Sequence, residues 1–153
     1  AVMAAYDAIM ASVRSHAPQA RIDGVLVSPM RKDGLELLVG ITSDPSWGPM
    51  IAVGLGGIWV EALADVSLRV LPISEDDAKT MLGELKAARL LAGFRGTPAA
   101  ELGRLAEVIV AISRAALALG PALESLEVNP LFVRGAQIEA LDGLAVWKPI
   151  DAS

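Results

Sequence analysis

Ser125-Leu126-Glu127-Val128-Asn129-Pro130-Leu131-Phe132-Val133, the pair Arg134-Gly135, then Ala136-Gln137-Ile138-Glu139-Ala140-Leu141-Asp142-Gly143: the reading of this stretch decides the fold. Val128, Leu131, Phe132 and Val133 suit extended chain, and Arg-Gly between two apolar runs reads as a tight turn, so the stretch is a β-hairpin. With Arg134 and Gly135 as the loop, Val133 faces Ala136, Leu131 faces Ile138, Asn129 faces Ala140 and Glu127 faces Asp142. Side chains alternate with period two, so Glu127, Asn129 and Asp142 share one sheet face. Two directly opposed carboxylates repel unless something positive lies between them. Hard oxygen donors converging on a hairpin suit Mg²⁺, which takes one or two carboxylates and leaves its other positions to water and phosphate. A solvated strand face carrying two acids is the plainer alternative.

Composition bounds the rest. A chain of 153 residues is expected to form one domain with a true core. A net charge of −5 argues against a general nucleic-acid binder, which needs a basic stripe. Without cysteine there is no disulfide, zinc–thiolate site or thiol nucleophile. No run of apolar residues is long enough to span a membrane, and no signal peptide is visible, so the cytoplasm is the expected location. The chain begins with Ala1 inside a helical pattern, which reads as a piece of a longer protein.

Val2, Met3, Tyr6, Ile9, Met10 and Val13 form an apolar stripe at helical spacing over residues 1–17, closed by Pro18. His16, the only histidine, reads as a surface residue favoured near a helix C-terminus. Ile22 to Met30 reads as a strand, bent at Pro29, with Leu35 to Thr42 as its partner; Glu36 is the one charge in that second run. Asp44-Pro45 and Gly48-Pro49 mark a loop around Trp47, and Met50 to Leu55 is a short buried strand. Gly54-Leu55-Gly56-Gly57 completes neither a P-loop nor a dinucleotide fingerprint. Trp59 to Glu61 reads as extended. Asp65 to Leu71 alternates, placing Asp65, Ser67 and Arg69 on one face; Arg69 is a candidate anion contact, or else an ion-pair partner of Asp65 or Glu61. Ser74 to Asp77 opens a helix with a capping-box spacing, and Gly93 to Gly96 breaks the helical run that follows. Thr97-Pro98 is expected to open another helix, with Thr97 as its cap, running to Gly120-Pro121. Leu144 to Trp147 reads as a last strand and residues 148–153 as a tail. The whole is an α+β layer fold with a mixed or antiparallel sheet and about three substantial helices.

The order Gly24 to Met30, Glu36 to Gly40, Asp44 to Pro49, Gly54 to Gly57, Val60-Glu61, Asp65 with Arg69 and Pro72, Gly93 to Gly96, Glu127-Val128-Asn129-Pro130-Leu131 and Leu141-Asp142 resembles the ATP-grasp domain of ADP-forming acyl-CoA synthetases of the acetate–CoA ligase type. That domain is similar to the β subunit of succinyl-CoA synthetase and also occurs beside acetyltransferase modules. The resemblance covers residues 1–147 and implies the C-terminal part of an ATP-grasp domain, without the family's earlier lysine- and histidine-bearing segment. It implies ATP or ADP and Mg²⁺ as cofactors. Ser28, Pro29 and Met30 fall where backbone meets adenine, and Glu36 where an acid binds ribose hydroxyls. Asn129 and Asp142 match the Mg²⁺ ligands, Glu127 the acid beside them, and Arg69 a phosphate-facing cation. The implied partners are CoA-binding domains or a CoA-binding subunit, with a carboxylate or acyl-CoA as substrate and neither nucleic acid nor membrane involved. The phosphohistidine role is not carried over to His16, and the piece alone is not expected to turn over. The rival reading is a non-catalytic nucleotide-sensing domain in a multidomain protein such as an acetyltransferase fusion.

Overall fold

A computed structural model describes residues 1–56, 65–93 and 96–149. The chain divides into two compact units, Ala1–Met30 and Arg31–Ser153. In the first, α1 (Val2–His16) forms where the helical stripe predicts it and has no buried residue, so Val2 and Met3 stay exposed. His16 lies in its last turn, where its Nδ1 pairs with the Ser12 carbonyl.

The strand expected over Ile22 to Met30 does not form. Its expected partner, β1 (Leu35–Asp44), has both edges taken, by β2 (Gly48–Leu55) on one side and by β4 (Leu123–Arg134) on the other. Pro29 has no amide hydrogen to donate to a ladder. Leu26, Val27 and Met30 are correspondingly exposed, at 91%, 79% and 82%.

The second unit is built on an antiparallel sheet in the order β3-β2-β1-β4-β5, where β3 is Val66–Val70 and β5 is Gln137–Ala140. The last strand, β6 (Gly143–Trp147), pairs with β4 on the same side as β5, so the long β4 is bordered end to end by two short strands. One sheet face is apolar at every second residue: Leu37, Val39 and Ile41 of β1 stand beside Leu55, Val53 and Ile51 of β2. This face is covered by α2 (Glu75–Glu84) and α4 (Leu102–Leu119), through Met81, Leu82, Leu105 and Ile109. A single turn, α3 (Ala88–Leu91), lies between those helices in sequence. The capping box predicted at Ser74 is present: the Asp77 amide donates to Ser74 Oγ at 3.1 Å and the Ser74 amide to Asp77 Oδ2 at 2.8 Å.

The second long helix starts later than expected, at Leu102 rather than at Thr97-Pro98. The backbone before it is engaged elsewhere: the Ala100 amide donates to Leu91 O and the Glu101 amide to Gly135 O, at 2.8 and 3.0 Å. These tertiary bonds hold residues 97–101 out of the helix although Thr-Pro favours a helix start. Its C-terminus is as predicted, at Gly120 with φ +84°. Trp59 and Glu61, read from the sequence as extended, lie outside the described residues.

Candidate functional site

The hairpin forms, but its register is displaced by two residues. Its loop is Gly135-Ala136, not Arg134-Gly135: Arg134 pairs with Gln137, Val133 with Ile138 and Leu131 with Ala140. Gly135 has φ +61°, the conformation that tight hairpin turns require at their first loop position and that glycine adopts without strain. Beyond β5 the same alignment continues into β6, with Val128 against Gly143 and Glu127 against Leu144. Asp142 therefore lies across from Asn129, whose amide donates to the Asp142 carbonyl at 3.3 Å, and not across from Glu127.

At the middle of β4 two residues, Asn129 and Pro130, stand against one residue of β1, Leu38. This bulge changes which residues face the helices, so that Val128 and then Leu131 are buried. Glu127 is paired with Gly40, on the sheet face away from the helices. Glu127, Asn129, Asp142, Gly143 and Leu144 line one open hollow of about 230 Å³. The three polar side chains are each oriented by a hydrogen bond. Asn129 Nδ2 donates to Glu127 Oε1 at 3.0 Å, and the Gly143 amide donates to Asp142 Oδ1 at 2.8 Å. That leaves Glu127 Oε2, Asn129 Oδ1 and Asp142 Oδ2 as acceptors with capacity to spare.

This donor set fits a hard divalent cation of the magnesium type: one carboxylate and one amide oxygen converge, with a second carboxylate beside them. Among the described residues no group of three or more histidine, cysteine, aspartate or glutamate side chains is placed to hold a metal alone. The arrangement thus suits a cation whose remaining positions are filled by water and phosphate, not an all-protein cage.

Glu36 is on the same sheet face: it pairs with Phe132, alternating with the core-facing Leu37. Its backbone is fixed where β2 ends, by the Gly56 amide on Glu36 O at 2.7 Å. A Cβ at Gly56 would come within 3.1 Å of the Glu36 carbonyl, so the run Gly54 to Gly56 serves a close approach of two backbones. Gly57 lies outside the described residues. Ser28, Pro29 and Met30 are in the first unit, in irregular chain.

Arg69 is not brought to the hairpin acids. It pairs with Ile51, on the face that carries the helices, and forms an ion pair with Glu84 of α2 at 2.5 Å. Of the two partners considered from the sequence, Asp65 forms no ion pair with it, and Glu61 lies outside the described residues. Ser67 Oγ donates to the other Glu84 oxygen at 2.6 Å, and the Arg69 and Ser67 bonds together hold the Glu84 carboxyl below its usual range. Asp65, buried at the foot of β3, accepts the Lys86 and Ala87 amides, both at 2.8 Å. It is a structural acid that alternation alone did not single out. A separate, mostly apolar hollow of about 260 Å³, lined in part by Thr42, Leu117, Leu123 and Lys148, contains none of the candidate residues.

Comparison with known proteins bears on the family and the fold. The ATP-grasp domain family matches residues 1–145. The subunit beta of ADP-forming acetate–CoA ligase I from Pyrococcus furiosus is 41% identical over 138 residues, covering 90% of this chain and 59% of that one. The subunit beta of ligase II from the same organism is 40% identical over 128 residues, covering 84% and 54%. The chain thus spans little more than half the length of these relatives. Among solved structures, the dinucleotide-forming acetyl-coenzyme A synthetase 1 of Candidatus Korarchaeum cryptofilum, in complex with coenzyme A, Ca-AMPCP and HgCl⁺, superposes with a TM-score of 0.86 at 34% identity, over 94% of this chain and 62% of that one.

Proposed function

The chain belongs to the ATP-grasp domain family, and from that premise we propose that it is the ATP/ADP- and Mg²⁺-binding part of an ADP-forming acyl-CoA synthetase. Such an enzyme converts a carboxylate, coenzyme A and ATP to acyl-CoA, ADP and phosphate. The observation that carries the reading is the hollow beside the bulge, where Asn129 and Asp142 each keep one uncommitted oxygen. When bound there with a nucleotide, Mg²⁺ supplies neutralisation of charge on the transferring phosphoryl group. The chain's own part is positioning. Asn129, in β4, and Asp142, in the link between β5 and β6, would hold the cation, and Glu36, on the same sheet face as Glu127, would meet the ribose hydroxyls. For Ser28 to Met30 the family resemblance implies a backbone contact with the adenine edge.

The names of the relatives support the acyl-CoA assignment. They include acetate–CoA ligases, a 4-hydroxybutyrate–CoA ligase from Nitrosopumilus maritimus and a trans-feruloyl-CoA synthase. On this reading the working partner is a CoA-binding domain or subunit, the substrate is a small carboxylate or its CoA thioester, and the enzyme works in the cytoplasm without nucleic acid or membrane. No helix of the described residues is long and apolar enough to cross a membrane. The presence of metal donors favours catalysis over nucleotide sensing. Arg69, ion-paired on the opposite sheet face, is not included in the proposed site.

The test is ATP-dependent acyl-CoA formation by the protein that carries this chain, across a Mg²⁺ titration. Asp142→Asn should lower turnover by roughly two orders of magnitude or more, because it removes the one charge bound directly to the cation. Wild-type turnover by that variant at every Mg²⁺ concentration would remove the assignment.

A further inference from the structure

We propose that Glu127 is a positioning residue for Asn129: it engages the amino end of the Asn129 side chain and thereby presents the carbonyl end to Asp142 and the hollow. The inference rests on the metal reading above and adds what makes Asn129 usable as a ligand. A side-chain amide has a donor end and an acceptor end that a half-turn exchanges, and only the oxygen can bind a cation. Asn129 is flanked by two carboxylates, Glu127 on its own strand and Asp142 across the ladder. A carboxylate only accepts, so the two compete for the amino group, and the winner sets where the oxygen points. Glu127 Oε1 holds the amino group at 3.0 Å, and among the described residues no hydrogen bond joins the Asn129 side chain to Asp142. The Asp142 carboxylate is instead steadied by the amide of Gly143.

Without Glu127 the amino group turns to Asp142. One rotation then withdraws the Asn129 oxygen from the hollow and occupies the Asp142 oxygen that a cation needs. Partners that orient metal ligands typically account for a 10–100-fold change in metal affinity when removed.

The experiment has a metal arm and a metal-free arm, both on the full chain, with thermal melting to confirm that each variant folds. In the first, free Mn²⁺ is followed by electron paramagnetic resonance during titration in the presence of ADP. Glu127→Ala should weaken Mn²⁺ binding by roughly 10–100-fold. Glu127→Gln loses the same charge but keeps an acceptor, and should weaken it much less. In an Asn129→Asp background, both ends of the side chain are oxygens and no orientation remains to be set, so Glu127→Ala and Glu127→Gln should become equivalent. Equal losses for the two variants with Asn129 in place, or a difference that persists in the Asn129→Asp background, would overturn the proposal and leave Glu127 acting through its charge or as a ligand. Asp142→Ala separates the two readings: Mn²⁺ binding unchanged in that variant removes the metal site itself. The metal-free arm then still decides the orientation. In NMR spectra the Asn129 side-chain amide protons should lie near the Glu127 side chain in the wild type and near the Asp142 side chain in Glu127→Ala. Protons that stay away from Asp142 in the variant would sink the proposal whatever the metal does.

Discussion

Asp142 stands across from Asn129, and an amide relieves much of the repulsion that a directly opposed Glu127 would impose. Relief of repulsion is therefore a weak effect when Asp142 is made neutral. In Asp142→Asn the side-chain oxygen still accepts the Gly143 amide. The metal-free chain should keep its stability to within about 0.5 kcal/mol, as surface changes without a lost partner do. Urea denaturation without divalent cations measures this, and a gain well above that range would mean that the two carboxylates repel as closely as the sequence-predicted register placed them. That register was displaced by two residues, yet it still placed Glu127, Asn129 and Asp142 on a common face, because a shift of two preserves the face of every side chain where a shift of one reverses it. The signal for the correct turn was Gly135: a two-residue loop with glycine at its first position is a favoured hairpin form, and the Arg-Gly reading put the glycine second.

At the scale of elements, local signals succeeded where local chemistry decides. The capping box at Ser74, the apolar faces of α2 and α4 and the hairpin were legible because each is set within a few residues. The failures lie where a distant segment decides. Ile22 to Met30 has the composition of a strand, but β1 is filled on both edges by β2 and β4, and the pairing with β4 spans most of the chain. Thr97-Pro98 has the chemistry of a helix start, but the following amides bond to Leu91 and to the hairpin turn. Asp65 belongs to this second class. Its carboxylate bridges the foot of β3 to the chain just after α2 by accepting two successive backbone amides. Asp65→Ala leaves both donors without that acceptor, at a cost of about 1–3 kcal/mol. A chain of this size should then melt several degrees lower, roughly 2–4 °C for each kcal/mol. Asp65→Asn should lose less, because one amide oxygen survives to accept. A calorimetric scan of the three proteins checks the order, and equal melting temperatures would show that water replaces the carboxylate without loss.

For the molecule as a whole, the acid limb of stability should be governed by carboxylates that tie separate segments together. Glu84 joins α2 to β3, and its carboxyl lies below its usual value of 4.5 because Arg69 and Ser67 donate to it. Glu139 of β5 is held below the same usual value by Gln137 and by Arg31, the latter at 2.6 Å from its Oε2. Asp77, in the capping box, is lowered from 3.8 by Ser74. In each case the folded chain binds its proton less readily than the unfolded chain. The stabilisation is therefore fully present above the unfolded values near 4 and is lost as pH falls through the lower, folded ones. A protonated glutamate is close in shape and hydrogen-bonding capacity to glutamine, so Glu84→Gln and Glu139→Gln imitate the acid form at every pH. Each variant should be less stable than the wild type at pH 7, and the gap should close as pH falls below 4, leaving a flatter profile of stability against pH in the variant. The double variant should be flatter still, with the two effects adding, because one ion pair joins α2 to β3 and the other holds β5, with no residue in common. Chemical denaturation from pH 7 down to pH 2.5 gives the four curves directly. Parallel curves, with the variants no closer to the wild type in acid than at neutrality, would show that the glutamates stabilise this fold by packing and not by the charge that their arginine partners hold in place.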